Sequence, residues 1–293
     1  MKLAAIDIGS NAARLLITEV IYEKDGKAKF NKLNLVRVPL RLGFDVFEQK
    51  TIGKEKFRMM MQTIKAFSHL CQAYQVNHIK ACATSAMRDA KNSADIIRKI
   101  RLETGISIEI ISGDMEASLV YENHIAENLS SEHSYLYIDV GGGSTELSFF
   151  NNGQLAYKHS FNIGTIRLLK EMVSDFEWDQ MKEAIKSATK SQKKVIAIGS
   201  GGNINKIFSL SKKKDGKPLD IELLRDYYKE LSSFSLEDRI NQYNLRSDRA
   251  DVIVPALLIY INAMRWAGAE DIYVPKIGLA DGLIHHLWEE VNA

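Results

Sequence analysis

The chain is poor in the residues that interrupt or cross-link a fold, with four prolines and two cysteines among 293 residues. So few prolines, in a sequence without low-complexity stretches, predict a chain that is folded throughout. Cys71 and Cys82 do not form a CxxC pair, which argues against a disulfide framework and against a cysteine-based zinc site. We expect both cysteines to be small, buried apolar residues.

The chain also lacks an excess of charge of either sign. Lys and Arg total 39 and Asp and Glu total 37, so the net charge of +2 gives no reason to expect binding to DNA or to a membrane surface. No basic segment followed by a long apolar run opens the chain, and apolar stretches such as 252–263 are short and interrupted. We expect a cytoplasmic protein with no membrane and no DNA partner.

Strand and helix patterns alternate along the sequence. Apolar runs and turn residues predict strands at 2–9, 14–22, 28–38, 78–83, 107–111, 135–140, 146–150, 154–160, 195–198 and 271–274. Helical spacing predicts helices at 54–74, 89–101, 114–127, 163–173, 178–190, 203–210, 219–230, 247–267 and 279–288. The alternation indicates an α/β protein with helices packed over sheets, and the length is sufficient for two domains with separate cores.

Two segments of the chain begin alike. Residues 6–11 read Ile-Asp-Ile-Gly-Ser-Asn, and residues 138–144 read Ile-Asp-Val-Gly-Gly-Gly-Ser. In each, an Asp closes a short apolar strand and is followed by glycine and a hydroxyl residue. This similarity predicts a duplicated domain whose two loops face each other across a cleft.

The composition of these loops favours phosphate binding. Glycines let backbone N–H groups approach an anion, and Ser144 and Thr145 can add hydroxyl donors. The carboxylates of Asp7 and Asp139 would be repelled by bound phosphate. A cation is therefore expected between these carboxylates and the phosphate. Mg²⁺ suits this position because it prefers oxygen ligands and keeps several waters, and Mn²⁺ is the alternative ion. The competing interpretation of the second loop is a plain β-hairpin turn.

A third glycine-rich loop follows the apolar strand at 195–198 and precedes a helix: Gly199, Ser200, Gly201, Gly202 and Asn203. It matches neither a P-loop nor a GxGxxG dinucleotide fingerprint. A nucleotide-binding loop and an ordinary strand-to-helix turn both remain open.

Six blocks, in order along the chain, resemble the exopolyphosphatase / guanosine pentaphosphatase family of the actin and sugar-kinase superfamily. They are residues 7–15, 83–92, 111–117, 139–146, 199–203 and 247–251. The resemblance implies two duplicated actin-like, ribonuclease H-like domains, with mixed sheets flanked by helices and an interdomain cleft. It places the first domain at 1–122 plus a C-terminal helix at about 282–293, and the second at 123–281.

The resemblance also implies roles for individual residues. Glu116 would be the general base that activates water, and Asp7, Asp139 and Glu146 would hold magnesium. The implied phosphate-binding residues are Ser10, Asn11, Arg14, Thr84, Arg88, Gly141, Gly142, Gly143, Ser144 and Thr145. Surface salt bridges are the alternative for the two arginines, and helix capping is the alternative for Glu116.

The sequence departs from the family pattern at three positions. Met115 stands where an acid is usual, and Ser118 and Ala280 stand where arginine is common. The chain also ends where longer members continue into an extra helical domain implicated in holding long substrates and in dimerisation. Monomer and homodimer therefore both remain open.

The implied activity is release of terminal phosphate from inorganic polyphosphate, with short chains preferred, or from guanosine pentaphosphate. The sequence leaves two other functions open. One is a kinase-like phosphotransferase, which the family-specific blocks around Thr84 and Glu116 disfavour. The other is a non-catalytic sensor of a phosphorylated signal, which the three departures favour.

Overall fold

The computed structural model describes residues 1–23, 26–121, 133–190, 192 and 194–292. The chain forms two compact units: Met1–Asn123 with Leu279–Ala293, and His124–Gly278. The polypeptide thus leaves the first unit, builds the second and returns to the first with its last helix. Residues 122–132, which hold the end of the helix predicted at 114–127 and the start of the second predicted domain, lie outside the described residues.

The first unit contains a five-stranded mixed sheet in the order β3-β2-β1-β4-β5. Its strands are β1 (Lys2–Ile8), β2 (Ala13–Tyr22), β3 (Ala28–Val38), β4 (His78–Ala83) and β5 (Ile108–Ile110). β2 runs antiparallel to both β1 and β3, whereas β4 is parallel to both β1 and β5. The apolar run of β1 is almost wholly buried, as expected for a central strand covered on both faces.

Helices cover this sheet: α1 (Leu42–Gln49), α2 (Lys54–Ala73), α3 (Ser85–Asp89), α4 (Ser93–Thr104), α5 (Gly113–Tyr121) and the C-terminal α13 (Leu279–Asn292). α13 packs on β1 and on α5. A Cβ on Gly282 would lie 1.7 Å from the carbonyl oxygen of Leu119, so only glycine permits this approach of α13 to α5. Lys80 Nζ and Glu290 Oε1, 2.8 Å apart, add an ion pair between β4 and α13.

The second unit contains a six-stranded sheet in the order β10-β11-β9-β6-β7-β8. Its strands are β6 (Ser134–Val140), β7 (Thr145–Asn151), β8 (Gln154–Phe161), β9 (Val195–Ser200), β10 (Leu219–Asp220) and β11 (Asp271–Tyr273). β6, β7 and β8 form an antiparallel meander, and β9 lies parallel to β6 and β11. Asn152 and Gly153 have φ values of 50° and 74°, which confirms the predicted hairpin turn.

The two sheets repeat one connectivity, which confirms the predicted duplication. In each unit an antiparallel meander of three strands is followed by a crossover to a strand that pairs in parallel with the first strand of the meander. The predicted class, two mixed sheets flanked by helices, is therefore confirmed. The repeat also gives the β1–β2 loop of the first unit a counterpart in the β6–β7 loop of the second.

The second unit has the helices α6 (Thr165–Leu169), α7 (Asp175–Thr189), α8 (Gly202–Ser211), α9 (Ile221–Ser233), α10 (Leu236–Tyr243), α11 (Ser247–Ala250) and α12 (Ile253–Ala267). By length and composition alone the helical stretch Ser247–Ala267, with 21 residues and a mean hydropathy of 1.3, could cross a membrane. The expectation that apolar stretches such as 252–263 are too short to span a membrane is therefore wrong as regards the length of this helical stretch. α12 instead packs on β6, β9, α7 and α9, where most of its apolar residues are buried.

Element ends differ from the predictions where residues near those ends form contacts with distant parts of the chain. The helix predicted at 89–101 begins only at Ser93, because the Asn92 amide bonds both the N–H and the carbonyl of Ile52, at 3.0 and 2.9 Å. The helix predicted at 219–230 begins at Ile221, because Leu219 and Asp220 pair with β11. α1, α3 and α10, each of eight residues or fewer, carry too few apolar repeats to be recognised.

Candidate functional site

The loop Gly141–Ser144 connects β6 to β7 in a tight turn. The Gly141 amide donates to the Ser144 carbonyl oxygen at 2.9 Å, and a Cβ on Gly141 would lie 3.1 Å from that oxygen. Any larger residue at the start of the loop would thus require the Ser144 carbonyl to shift by a few tenths of an ångström.

The next segment of chain, Ile163–Arg167, binds the carbonyl side of this loop. Its hydrogen bonds run from Thr165 N to Gly141 O at 3.1 Å, from Ile166 N to Gly142 O at 2.8 Å and from Arg167 Nε to Gly143 O at 2.7 Å. Three successive carbonyl groups therefore point toward one segment.

The orientation of these carbonyls fixes that of the following amides. In a planar trans peptide the C=O of one residue and the N–H of the next point in opposite directions. The amides of Gly142, Gly143 and Ser144 therefore point away from Ile163–Arg167. Within the described ranges, none of the three donates a hydrogen bond to a protein acceptor. Three such amides in successive residues form the kind of concavity that binds anions.

Gly164 allows the two segments to come this close. A Cβ at Gly164 would lie 2.5 Å from both the Gly142 oxygen and the Gly143 carbonyl carbon. Thr145, predicted as a phosphate ligand, instead donates its hydroxyl to the Ile163 carbonyl. Sequence reasoning missed Gly164 and Arg167, because nothing in the local pattern shows which loop a distant turn will touch.

Asp139 and Glu146 lie directly opposite each other on β6 and β7, so their side chains share one face of the sheet. Glu146 is buried and accepts a hydrogen bond from Ser160 Oγ at 2.8 Å. Adjacent carboxylates repel each other unless a cation is shared, and oxygen ligands of this kind suit Mg²⁺. No cluster of three or more His, Cys, Asp or Glu side chains forms in the part of the chain that the structure describes. An ion held here would thus keep most of its shell for water or phosphate oxygens.

The third glycine loop lies beside this acidic pair. Ser200 is in register with Asp139, and Gly201 has a φ of +114°, which favours glycine. A Cβ on Gly201 would lie 3.2 Å from the Val140 oxygen and 3.3 Å from Asp139 Oδ1. The Tyr260 hydroxyl donates to the Ser200 carbonyl. Burial, reinforced by the Asp139 charge, raises the pKa of Tyr260 well above its usual value, so the phenol remains a donor.

The other residues of the third loop have separate positions. A Cβ on Gly199 would lie 2.7 Å from Ile272 Cδ1, so this glycine serves packing between β9 and β11. Gly202 and Asn203 begin α8, which has no side-chain cap. The strand-to-helix turn that the sequence left open is thus present, and it brings Gly201 to the acidic pair.

The corresponding loop of the first unit is built in the same way. Gly9 N donates to Ala12 O at 3.0 Å, just as Gly141 does to Ser144. The next carbonyls are again bound by a nearby segment, with bonds from Gly43 N to Ser10 O and from Arg41 N to Asn11 O, both at 2.9 Å. The Ser10 side chain, predicted to bind phosphate, is buried and bonded to Ser85 Oγ at 2.8 Å and to Ala86 N at 3.1 Å.

The two units differ at one pair of positions. Asp7 on β1 is opposite Arg14 on β2, where the second unit has Asp139 opposite Glu146. Arg14 Nη1 lies 2.7 Å from Asp7 Oδ2, and Asp7 is buried. Of the three predicted magnesium ligands, Asp7 is therefore already neutralised by an arginine, whereas Asp139 and Glu146 lie together.

Glu116 lies in the first turn of α5 with 8% of its surface exposed. Arg88 Nη1 is 4.0 Å from Glu116 Oε2 and donates to the Ile111 carbonyl at 2.6 Å. The Thr84 amide donates to the carbonyl of Ile8 at the end of β1. Burial raises the pKa of the Cys82 thiol, with further contributions from the charges of Asp7 and Glu116. The structure thus brings Thr84, Arg88 and Glu116 to the same sheet edge as the first loop.

The three departures from the family pattern occupy ordinary helical positions. Ser118 Oγ donates to the Asp114 carbonyl within α5, and Met115 N donates to Ser112 Oγ at the helix start. Ala280 is buried in α13. None of them disturbs the backbone around Glu116.

Comparisons with known proteins agree with this architecture. The model of the Ppx/GppA phosphatase family matches residues 20–290. The bifunctional 3-dehydroquinate synthase/phosphatase of Fusobacterium nucleatum is 35% identical over 177 residues, which are 57% of this chain and only 26% of that protein. Exopolyphosphatase 1 of Mycobacterium tuberculosis is 25% identical over 97% of this chain and 87% of its own.

The fold has been seen in solved structures. A crystal structure of an exopolyphosphatase from Cytophaga hutchinsonii superposes with a TM-score of 0.85 and 22% identity, covering 99% of this chain and 98% of that one. At this identity the likeness shows the fold. Together with the family match over residues 20–290, it confirms the resemblance read from the sequence blocks: the chain belongs to the Ppx/GppA phosphatase family.

Proposed function

We propose that this protein is a phosphohydrolase that releases terminal phosphate from inorganic polyphosphate, preferring short chains, or from guanosine pentaphosphate. Membership of a phosphatase family and the exopolyphosphatase names of its relatives support this class of reaction. The observation that carries the proposal is the loop Gly141–Ser144, where three successive amides point away from Ile163–Arg167 beside a pair of carboxylates.

In this proposal the three loop amides bind oxygens of a phosphate group. Backbone donors fixed in advance stabilise charge that develops in the transition state without having to reorganise. Magnesium or manganese bound by Asp139 and Glu146 would offset the negative charge of the phosphate oxygens and make the phosphorus easier to attack. Asp7, paired with Arg14, would keep the first loop neutral. Gly201 and the start of α8 are the proposed contacts for a nucleotide.

Glu116 is the proposed general base. It is buried at a helix start, whereas Asp114, the neighbouring acid, is exposed. A carboxylate shielded from bulk water can take the proton of an attacking water, and such help contributes about a hundredfold to ten-thousandfold to the rate. Arg88 Nη1 lies 4.0 Å from this carboxylate, and its guanidinium would also attract a phosphate oxygen.

The proposal is tested by measuring phosphate release from a panel of substrates. Tripolyphosphate, longer polyphosphates, guanosine pentaphosphate and adenosine triphosphate are each assayed with Mg²⁺, with Mn²⁺ and with excess chelator. We expect release from short polyphosphates or guanosine pentaphosphate that requires the metal. Transfer of labelled phosphate to an acceptor other than water would instead indicate a phosphotransferase, and binding without any release would indicate a sensor.

Glu116→Gln tests the assigned base, with Asp114→Asn as the matched control. The amide keeps the size of the side chain but cannot accept the proton. We expect Glu116→Gln to lower kcat at least about a hundredfold with little change in substrate affinity, and Asp114→Asn to have a mild effect. A large loss of kcat in Asp114→Asn with a mild effect of Glu116→Gln would show that Asp114, and not Glu116, is the base.

A further inference from the structure

Arg167 is a buried arginine that the proposed reaction does not use. Only 8% of its surface is exposed, and its Nε donates to the Gly143 carbonyl at 2.7 Å. Removing a guanidinium from water is costly unless it is well bonded, so fully buried arginines are uncommon. A side chain placed in this way against a functional loop calls for a specific role.

The hydrogen bond from Arg167 controls one peptide plane of the loop. The Gly143 carbonyl and the Ser144 amide belong to the same planar trans peptide, so holding the carbonyl toward Arg167 turns the Ser144 amide away from it. The two preceding planes are held by the backbone amides of Thr165 and Ile166, which almost any residue could supply. Only the third plane depends on the identity of a side chain.

The charge of Arg167 acts in the same direction as its hydrogen bond. The guanidinium is always protonated in proteins. Because it is buried, its field is screened less by solvent and salt than the field of a surface charge. It therefore places a positive charge behind a loop whose amides point to the opposite side, and both effects favour an anion there.

We infer that Arg167 is a positioning residue for the loop Gly141–Ser144, and that it orients the Ser144 amide toward a phosphate or short polyphosphate group. It acts through the Gly143 carbonyl and does not itself contact the substrate. The inference rests on the proposed function, because it assumes that this loop binds phosphate.

Imidodiphosphate is a suitable probe because a nitrogen replaces the bridging oxygen that would be hydrolysed. Its dissociation constant is measured calorimetrically for the parent, Arg167→Met and Arg167→Lys, at low and high salt. Arg225→Met is the matched control, because Arg225 is an exposed arginine of the same unit that pairs with Glu222. The amide resonances of ¹⁵N-labelled serine and glycine report on the individual peptide planes.

We expect Arg167→Met to weaken binding of imidodiphosphate about ten- to hundredfold, at both salt concentrations. Lysine keeps the charge but lacks the planar fork, so Arg167→Lys should fall between parent and Met variant. In Arg167→Met the Ser144 amide should no longer respond to imidodiphosphate, while the Gly142 and Gly143 amides still do. A generally loosened fold would alter all three alike.

Several results would overturn the inference. Equal affinities for Arg167→Met and Arg225→Met, in a parent that binds the probe and releases phosphate, would refute it and leave the proposed function standing. A parent that neither binds nor hydrolyses would remove both. If Arg167→Met does not fold, the test is made with Arg167→Lys. Parent-like affinity for imidodiphosphate, together with an unchanged response of the Ser144 amide, would then show that the planar guanidinium is not needed to orient this amide.

Discussion

Gly164→Ala should displace the loop Gly141–Ser144, the proposed phosphate site, without straining the residue that is changed. Gly164 has φ −143° and ψ 162°, an extended conformation that alanine adopts freely. The new Cβ, however, would lie 2.5 Å from backbone atoms of Gly142 and Gly143. Backbone atoms cannot rotate away as a side chain can, so the two segments must separate.

The size of the displacement follows from contact distances. Carbon atoms in ordinary contact stand roughly 3.5 Å or more from their neighbours, so the segments must move apart by about 1 Å. A misplacement of about 1 Å can cost about a hundredfold in rate, and overpacking typically destabilises by about 1–3 kcal/mol. We therefore expect kcat to fall about a hundredfold in a protein that still folds at 25 °C.

The assay compares phosphate release and thermal unfolding of the parent, Gly164→Ala and Gly278→Ala. Gly278 is the matched control, because a Cβ there would meet no atom within 4 Å. The control should retain the parent's kcat and Tm. Turnover close to that of the parent in folded Gly164→Ala would refute the reasoning, since it would mean that the loop does not need its close contact with Ile163–Arg167.

Three further changes test the supports of the site. Tyr260→Phe keeps the ring but leaves a buried carbonyl without its donor, so denaturant unfolding should show a loss of about 1–2 kcal/mol together with reduced turnover. Gly282→Ala should lower both Tm and kcat because it pushes α5 away from α13, and parent-like hydrogen exchange in α5 would contradict this. Lys80 lowers the pKa of Glu290. The contribution of this ion pair to the free energy of unfolding is therefore present above about pH 4.3, the pKa of an unfolded Glu, and is lost as pH falls through the lower folded pKa. Glu290→Gln should thus lower the free energy of unfolding by less than about 1 kcal/mol at pH 7 and leave it unchanged in acid.

The sequence was sufficient to predict the fold class because its signals are local. Apolar runs at 2–9 and 135–140, each with an Asp and then a glycine at its end, identify strand ends with tight turns, and their recurrence identifies the duplication. The long, regular helix at Lys54–Ala73 was recognised for the same reason, since Met60, Ile64 and Phe67 repeat at helical spacing. Short elements such as α3, with five residues, give no such signal.

The candidate site was predictable only in part. Motif blocks pointed to Glu116 and the glycine loops, but residue type alone did not show which hydrogen bonds the hydroxyl and arginine side chains form within the protein. In the structure the hydroxyls of Ser10 and Thr145 are bonded within their own units, and Arg14 is bonded to Asp7. A residue type shows which bonds a side chain can make, and only its neighbours decide which ones it makes.

The sequence by itself determined the class of fold, the repeat, and the positions where glycine and acids meet at strand ends. These properties depend on residues adjacent in the chain, whose spacing fixes periodicity and turn geometry. The tertiary structure alone decided that Ile163–Arg167 binds the carbonyl side of a loop some twenty residues earlier and so directs its amides. That direction depends on a contact between segments distant in sequence, which no local pattern records.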